Sequence, residues 1–316
     1  MRYRHLFGPV PSRRLGASLG IDLVPLKTCT LNCIYCECGA TTDLTVTRKK
    51  YVPLEEVLEE LDQYLDNNPY LDYITFSGSG EPTLHTGIGK IINHLKKNHP
   101  HYKICLLTNG TLFKERAVRK QVLNADLIIP SLDAATENCF QEINRPHSNL
   151  KCAEIIEGLA NLRNEYSGEI RLEIFIAPGF NDTEEELAAL KEAVEIIQPD
   201  SIQLGTLDRP GTEDWLEPAD SSKMQEISSY LNQAELIGKF KPGQKMPSYD
   251  ESRGQQILQL LSRRPCTVKD LRESLNLRPA EIQKYINHLL ARDKIEMDKQ
   301  KRGIFLKIKK NHEESH

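Results

Sequence analysis

Along most of the chain, short β-prone apolar runs alternate with stretches in which apolar residues recur at helical spacing. Ser18-Leu19-Gly20-Ile21-Asp22-Leu23-Val24 reads as a first strand. Pro53 to Asn67 follows as a helix, with Leu54, Val57, Leu58, Leu61 and Leu65 at helical spacing and Pro53 near its start. Tyr73-Ile74-Thr75-Phe76 predicts a short strand, followed by a helix near Ile88 to Lys97 and a strand over Lys103 to Leu107. A short helical stretch leads to Leu127-Ile128-Ile129, and a helix from about Asn149 to Tyr166 precedes a strand over Glu169 to Ile176. Thr183 caps a helix to about Ile197, with Glu186 three residues on as a capping box, and the strand Ser201 to Leu204 closes the series. Six strand–helix units in about 220 residues predict an α/β fold with a parallel sheet and its chemistry at the strand C-termini.

The last quarter has a different rhythm. Lys241-Pro242-Gly243-Gln244-Lys245-Met246-Pro247-Ser248 reads as a linker. Three helices are expected after it: Ser252 to Ser262 with Ile257, Leu258, Leu260 and Leu261 inward, Val268 to Leu275 after Thr267, and Ala280 to Arg292 opened by Arg278-Pro279. Two strands, Lys294 to Met297 and Gly303 to Ile308, flank Asp298-Lys299-Gln300-Lys301-Arg302. The organisation is therefore a body over 1–240, a linker over 241–250 and a smaller domain over 251–310, in keeping with about two domains for 316 residues.

Composition narrows the class. Charged residues make up 27% and hydrophobic residues 39%, which argues against a disordered chain, and no run of 18 apolar residues exists to span a membrane. The N-terminus, Met1-Arg2-Tyr3-Arg4-His5-Leu6-Phe7-Gly8, is basic but precedes no long apolar core, so no secretory signal is read and a cytoplasmic location is expected. The net charge of −4 hides an asymmetry: residues 250–316 carry +5 and the first 249 carry −9. A basic tail points to an anionic partner or is simply a solvated surface.

Eight cysteines are present, and four of them, Cys29, Cys33, Cys36 and Cys38, fall within ten residues. Gaps of three and two residues place Cys29, Cys33 and Cys36 on one tight loop, and soft thiolates suit iron–sulfur clusters or zinc. A structural zinc site normally takes four protein ligands as two separated pairs, and no second pair lies downstream. An iron–sulfur cube usually takes four cysteines, so three leave one iron open to a small molecule. Cys38 as a fourth ligand would close that position, and it is read as a bystander. Cys105, Cys139, Cys152 and Cys266 are expected in the core.

Cys29-Thr30-Leu31-Asn32-Cys33-Ile34-Tyr35-Cys36 resembles the CxxxCxxC motif of the radical S-adenosylmethionine (SAM) enzymes. The resemblance implies a six-stranded partial (β/α)6 TIM-like barrel, with Cys29, Cys33 and Cys36 holding a 4Fe-4S cluster. It implies that SAM chelates the fourth iron and is split by one electron to methionine and a 5′-deoxyadenosyl radical, with Tyr35 against the adenine. Ser77-Gly78-Ser79-Gly80-Glu81-Pro82 looks like that family's GGEP motif, with Ser79 in place of the first Gly. By the same resemblance Gly78, Ser79, Gly80 and Glu81 approach SAM's amino group. Thr108, Asn109, Ser131 and Asp133 match positions that face its methionyl or ribose portions. Further candidates are Glu173, Arg145, Asn181 and Gln203, each of which can equally serve the structure alone.

Phe7-Gly8-Pro9-Val10-Pro11-Ser12-Arg13-Arg14-Leu15-Gly16 and Val24-Pro25-Leu26-Lys27-Thr28-Cys29 look like a group of radical SAM proteins related to the wyosine-base-forming tRNA enzymes, over about residues 1 to 240. Arg13 and Arg14 are read as an anion contact near the barrel mouth or as a surface pair. The wyosine enzymes use a second cluster with further N-terminal cysteines, and none precedes Cys29, which argues against the wyosine-forming reaction itself. The tail resembles a winged helix-turn-helix domain. In that reading Arg278, Gln283, Lys284 and Asn287 lie on the reader helix, with Glu281 on the same helix, and Lys299, Lys301 and Arg302 form the wing. The expected function is a radical SAM enzyme that modifies a tRNA or other RNA and draws electrons from a flavodoxin or ferredoxin. The alternatives are a radical activator or maturase of a protein or peptide, and an iron–sulfur DNA-binding regulator.

Overall fold

The computed structural model describes residues 3–12, 14–66, 68–207, 211–237, 251–263, 265–275, 277, 279–300 and 303–309. Its first strand is one that hydrophobic patterning does not reveal. β1 (Leu6–Ser12) contains Pro9 and Pro11, which cannot donate to a ladder, so such a segment is confined to a sheet edge. It pairs antiparallel with β2 (Gly16–Asp22), and its register shifts between Phe7 and Val10.

The chain continues through the short strands β3 (Thr28–Cys29) and β4 (Asp43–Leu44), then α1 (Leu54–Leu65), β5 (Tyr73–Ser77), a tight 3-10 turn (Pro82–Leu84), α2 (Ile88–Asn98), β6 (Lys103–Thr108) and α3 (Arg116–Val122). There follow β7 (Leu127–Pro130), α4 (Glu137–Ile143), α5 (Cys152–Glu165), β8 (Glu169–Phe175), α6 (Glu184–Ile197), β9 (Ser201–Gly205), α7 (Ser221–Tyr230) and β10 (Glu235–Leu236). The sheet order is β1-β2-β5-β6-β7-β8-β9-β10, and every neighbour from β2 onward is parallel. This is the expected partial TIM-like barrel of six main parallel strands. Among the described residues its edges, β1 and β10, do not pair with each other, so the barrel stays open along one side.

Parallel strands are covered on both faces and read as near-continuous apolar runs. β7 is buried throughout and β5 is buried at its centre. β8 departs from this, and the departure locates the cavity. Ile170, Leu172 and Ile174 are buried in the main core beneath the helices, whereas Glu173 and Phe175 on the other face line the barrel interior. Lower in the interior, Leu15, Cys105, Leu127 and Ile129 form a small separate apolar cluster. α1 closes the outside with Leu54, Val57, Leu61, Tyr64 and Leu65. The Thr183 hydroxyl accepts from the Glu186 N–H as a cap should, but the Glu186 carboxylate does not turn back. It instead accepts from the N–H groups of Ala135 and Thr136 and from the Thr136 hydroxyl, and so pins the turn that follows β7.

The C-terminal module comprises α8 (Glu251–Arg263), α9 (Val268–Leu275), α10 (Pro279–Ala291) and an antiparallel hairpin of β11 (Ile295–Gln300) and β12 (Gly303–Ile308). It has its own core, including Ile257, Leu261, Leu271, Ile282, Tyr285, Leu289 and Leu306, with Leu258 and Leu260 only partly buried. α10 lies against β1 and β2. The expected linker over 241–250, together with Arg13, Arg278, Lys301 and Arg302, lies outside the described residues, as do the side chains of Glu281 and Lys284. Among the described residues no helix is long and apolar enough to cross a membrane.

Phe76 at the centre of β5 is fully buried. Phe76→Ala is expected to lower the unfolding free energy by about 4 kcal/mol in denaturant titration. Ile196→Ser, at a position 60% exposed on α6, is expected to change it by less than about 0.5 kcal/mol.

Candidate active site at the strand C-termini

The cysteine loop leaves the end of β2 and is clamped from two sides. On one side the N–H groups of Asn32 and Ile34 donate to the carbonyls of Asn144 and Ile143, at the end of α4. On the other, the Glu213 N–H donates to the Ile34 carbonyl, the Thr212 hydroxyl donates to the Cys36 carbonyl, and Gly211 lies so close to Tyr35 that a Cβ there would sit 2.9 Å from its backbone. Below the loop runs the Ser77–Pro82 turn. A Cβ on Gly80 would fall 1.9 Å from the Thr28 carbonyl oxygen, so only glycine permits this approach.

Cys29, Cys33 and Cys36 line one cavity of about 330 Å3. Each sulfur receives a side-chain N–H donor: Asn109 Nδ2 on Cys29 at 3.5 Å, Asn144 Nδ2 on Cys33 at 3.3 Å and Lys27 Nζ on Cys36 at 3.1 Å. Burial, with Glu81 adding, pushes the Cys29 thiol up to about 11, and burial beside Asp133 pushes Cys33 up as well. Cys36 is pulled down to about 5, first by a hydrogen bond with the Cys38 thiol and then, against the effect of burial, by Lys27. Three thiols converging on one cavity, each with a donor at its sulfur, suit a bound iron–sulfur cluster, whose sulfurs carry negative charge.

Glu81 and Asp133 organise the polar wall. Glu81 is 2% exposed and accepts four bonds: from the Thr83 N–H, the hydroxyls of Thr83 and Thr108, and the Asn109 N–H. Burial still leaves its carboxyl above the usual range. Asp133 accepts from the Tyr35 hydroxyl at 2.5 Å, Asn144 Nδ2 at 2.8 Å and the Phe175 N–H at 2.9 Å, and burial pushes its carboxyl up to about 6. The Tyr35 ring stacks on Phe175 with centroids 3.8 Å apart.

Of the residues singled out in the sequence, Tyr35, Gly78, Gly80, Glu81, Thr108, Asn109, Ser131 and Asp133 line this cavity with the three cysteines. Ser79 does not. Its hydroxyl and N–H donate to Asp22 and its carbonyl accepts from Lys27. Arg145 pairs with Glu213 outside the cavity, Asn181 ties the Asp133 and Phe175 carbonyls together, and Gln203 donates to Glu235. Cys38 is exposed at the cavity's edge, and the four scattered cysteines are buried. Glu173 faces inward and forms an ion pair with Arg14, which rises into the barrel from the turn between β1 and β2. That pair is shared with a second space of about 760 Å3, which opens where the barrel fails to close, between β1 and the end of β9.

Sequence reasoning missed Asn144 and Lys27 as donors to the cysteines and Phe175 as the ring stacked on Tyr35. Asn144 lies one residue from Arg145, and the pairing of a loop amide with a sulfur 111 positions away leaves no sequence pattern. In the C-terminal module Gln283 is buried and donates to Asn287, and both residues line a groove shared with the barrel.

Gly80→Ala is expected to cost roughly 1–3 kcal/mol of stability in denaturant titration, and to lower the iron retained after anaerobic reconstitution, because the turn must move off Thr28.

The comparisons with known proteins agree with this geometry. A family model described as the Radical SAM superfamily matches residues 23–192. A protein of Brachyspira hyodysenteriae named GTPase Obg is 33% identical over 302 residues, which cover 93% of this chain but only 44% of that protein. A UPF0026 protein of Methanocaldococcus jannaschii is 33% identical over 278 residues, 85% of each chain. A solved radical SAM methyltransferase from Sphaerobacter thermophilus shares the fold, with a TM-score of 0.54 at 14% identity over 70% of this chain and 65% of that one. With more than half its length matched, from the cysteine loop to α6, the chain belongs to the radical SAM superfamily, enzymes that use a 4Fe-4S cluster and S-adenosylmethionine, and it stands with the UPF0026 proteins.

Proposed function

We propose that Cys29, Cys33 and Cys36 hold the 4Fe-4S cluster and that Gly78, Gly80, Thr108, Asn109, Ser131, Asp133 and Tyr35 form the walls against which SAM is held. The observation that carries this reading is the convergence of three sulfurs from one loop on a cavity where Glu81, Thr108, Asn109, Ser131 and Asp133 stand among apolar side chains. When bound, the cluster supplies the electron that splits SAM and so provides the 5′-deoxyadenosyl radical. The chain's own part is to bind, orient and exclude water. Asp133 offers a carboxylate to hydroxyl groups, Gly78 and Gly80 let the turn pack against Asp22 and Thr28 and so set its backbone at the cavity, and Glu81 fixes the turn and Asn109. Ser79, bonded to Asp22, supports the turn from behind.

The substrate enters, in this reading, through the open side of the barrel and reaches the cavity over the Arg14–Glu173 pair. Its class is RNA, with a tRNA base as the reacting part. Two observations support this: the C-terminal module carries the positive end of the chain, and Asn287 of α10 stands at the rim of the opening. The module is read as a winged helix-turn-helix that holds the substrate beside the barrel. With Gln283 buried and Asn287 facing the barrel, a DNA regulator reading bases through this face of α10 is disfavoured. A cytoplasmic setting and a flavodoxin or ferredoxin as electron donor complete the proposal.

The reconstituted, dithionite-reduced protein is expected to form 5′-deoxyadenosine from SAM, while Cys33→Ala forms none and Cys38→Ala retains the activity. In filter binding at low salt the protein is expected to bind bulk tRNA, and Lys269→Glu combined with Lys299→Glu, both exposed, is expected to weaken binding about tenfold. Absence of tRNA binding by the wild type would overturn the RNA reading and leave the SAM chemistry standing.

A further inference from the structure

We infer that Lys27 is a positioning residue for the cluster, one whose side chain sets how readily the cluster accepts an electron. This rests on the proposal that Cys36 is a cluster ligand.

Lysine is rarely buried unless its ammonium is paired, yet Lys27 is 5% exposed. Its backbone is held in the left-handed region at φ 60°, which non-glycine residues seldom adopt. Three backbone bonds impose that conformation. The Lys27 N–H donates to the Ser79 carbonyl at 2.8 Å, and its carbonyl accepts from Thr42 and Asp43 at 3.0 and 3.1 Å. So fixed, the side chain runs inward and its ammonium donates to Cys36 Sγ at 3.1 Å. Among the described residues, that sulfur rather than a carboxylate is its partner.

The side-chain donors at the other two sulfurs are neutral amides at longer range, Asn109 at 3.5 Å and Asn144 at 3.3 Å. The donor set is therefore uneven, with one full positive charge placed on the Cys36 side. Reducing the cluster adds negative charge beside a low-dielectric wall. A cation at a ligand sulfur stabilises the reduced form more than the oxidised one, and hydrogen bonds to cluster sulfurs raise the reduction potential in the same direction. The lysine thus brings the cluster closer to the reach of a biological reductant, and it does so through Cys36, without contact with the reacting atoms.

The test is a potentiometric titration of the cluster in the full-length, anaerobically reconstituted protein, followed by electron paramagnetic resonance without SAM, with iron content measured alongside. Lys27→Met keeps the length of the side chain and removes the charge and the donor. It is expected to make one-electron reduction about tenfold less favourable, a fall of about 59 mV in midpoint, at wild-type iron content. Lys27→Arg, which keeps both charge and donor, is expected to stay near the wild-type midpoint. A fully loaded Lys27→Met protein with the wild-type midpoint would overturn the inference, and so would Lys27→Arg falling as far as Met. If the Met variant loses iron, Lys27→Gln takes its place under the same criterion. Cys36→Ala separates the two levels: if it retains the whole cluster, the ligand assignment fails, whatever Lys27 does.

Discussion

A carboxylate without access to solvent holds the site together. Burying an ionisable group costs several kcal/mol unless its lone pairs are satisfied, and Glu81 is satisfied by four donors from the turn after β5 and the end of β6. In accepting the Asn109 N–H it fixes the backbone whose side-chain amide reaches Thr30 at 2.7 Å and Cys29 at 3.5 Å. Its own N–H donates to the Thr28 carbonyl, immediately before Cys29. The cysteine loop, the glycine turn and the tip of β6 are therefore one hydrogen-bonded unit. Asp133 has the matching role on the far wall, linking Tyr35, Asn144 and Phe175.

The open barrel explains why chemistry and access lie where they do. Parallel strands deliver their C-terminal ends to one rim, and that rim carries the cysteines and the polar wall. β1 carries prolines and β10 is only two residues long, the two do not pair among the described residues, and the gap between them opens onto the Arg14–Glu173 pair. The C-terminal module borders the same gap, since α10 packs on β1 and β2 and presents Asn287 at its rim.

Much of this was legible in the sequence. Apolar periodicity located all six parallel strands of the barrel to within about two residues, because tertiary burial and local pattern agree there. All the motif positions but Ser79 line one cavity because they stand at or near the C-terminal ends of the barrel strands. Three features stayed hidden, each for a physical reason. β1 was masked by Pro9 and Pro11, which suit an edge strand but depress any strand reading. Glu186 looked like half of a capping box, yet its carboxylate serves the Ala135–Thr136 turn in another unit. Asn144 and Lys27 were unmarked because a donor's partner sulfur is settled by three-dimensional approach, which spacing does not encode.

The central claim is that three cysteines leave one iron open to SAM. It is tested most directly by the electron paramagnetic resonance spectrum of the reduced cluster with and without SAM. The account predicts that SAM changes the spectrum in the wild type and in Cys38→Ala alike. A spectrum indifferent to SAM, or a cluster lost on removing Cys38, would contradict it.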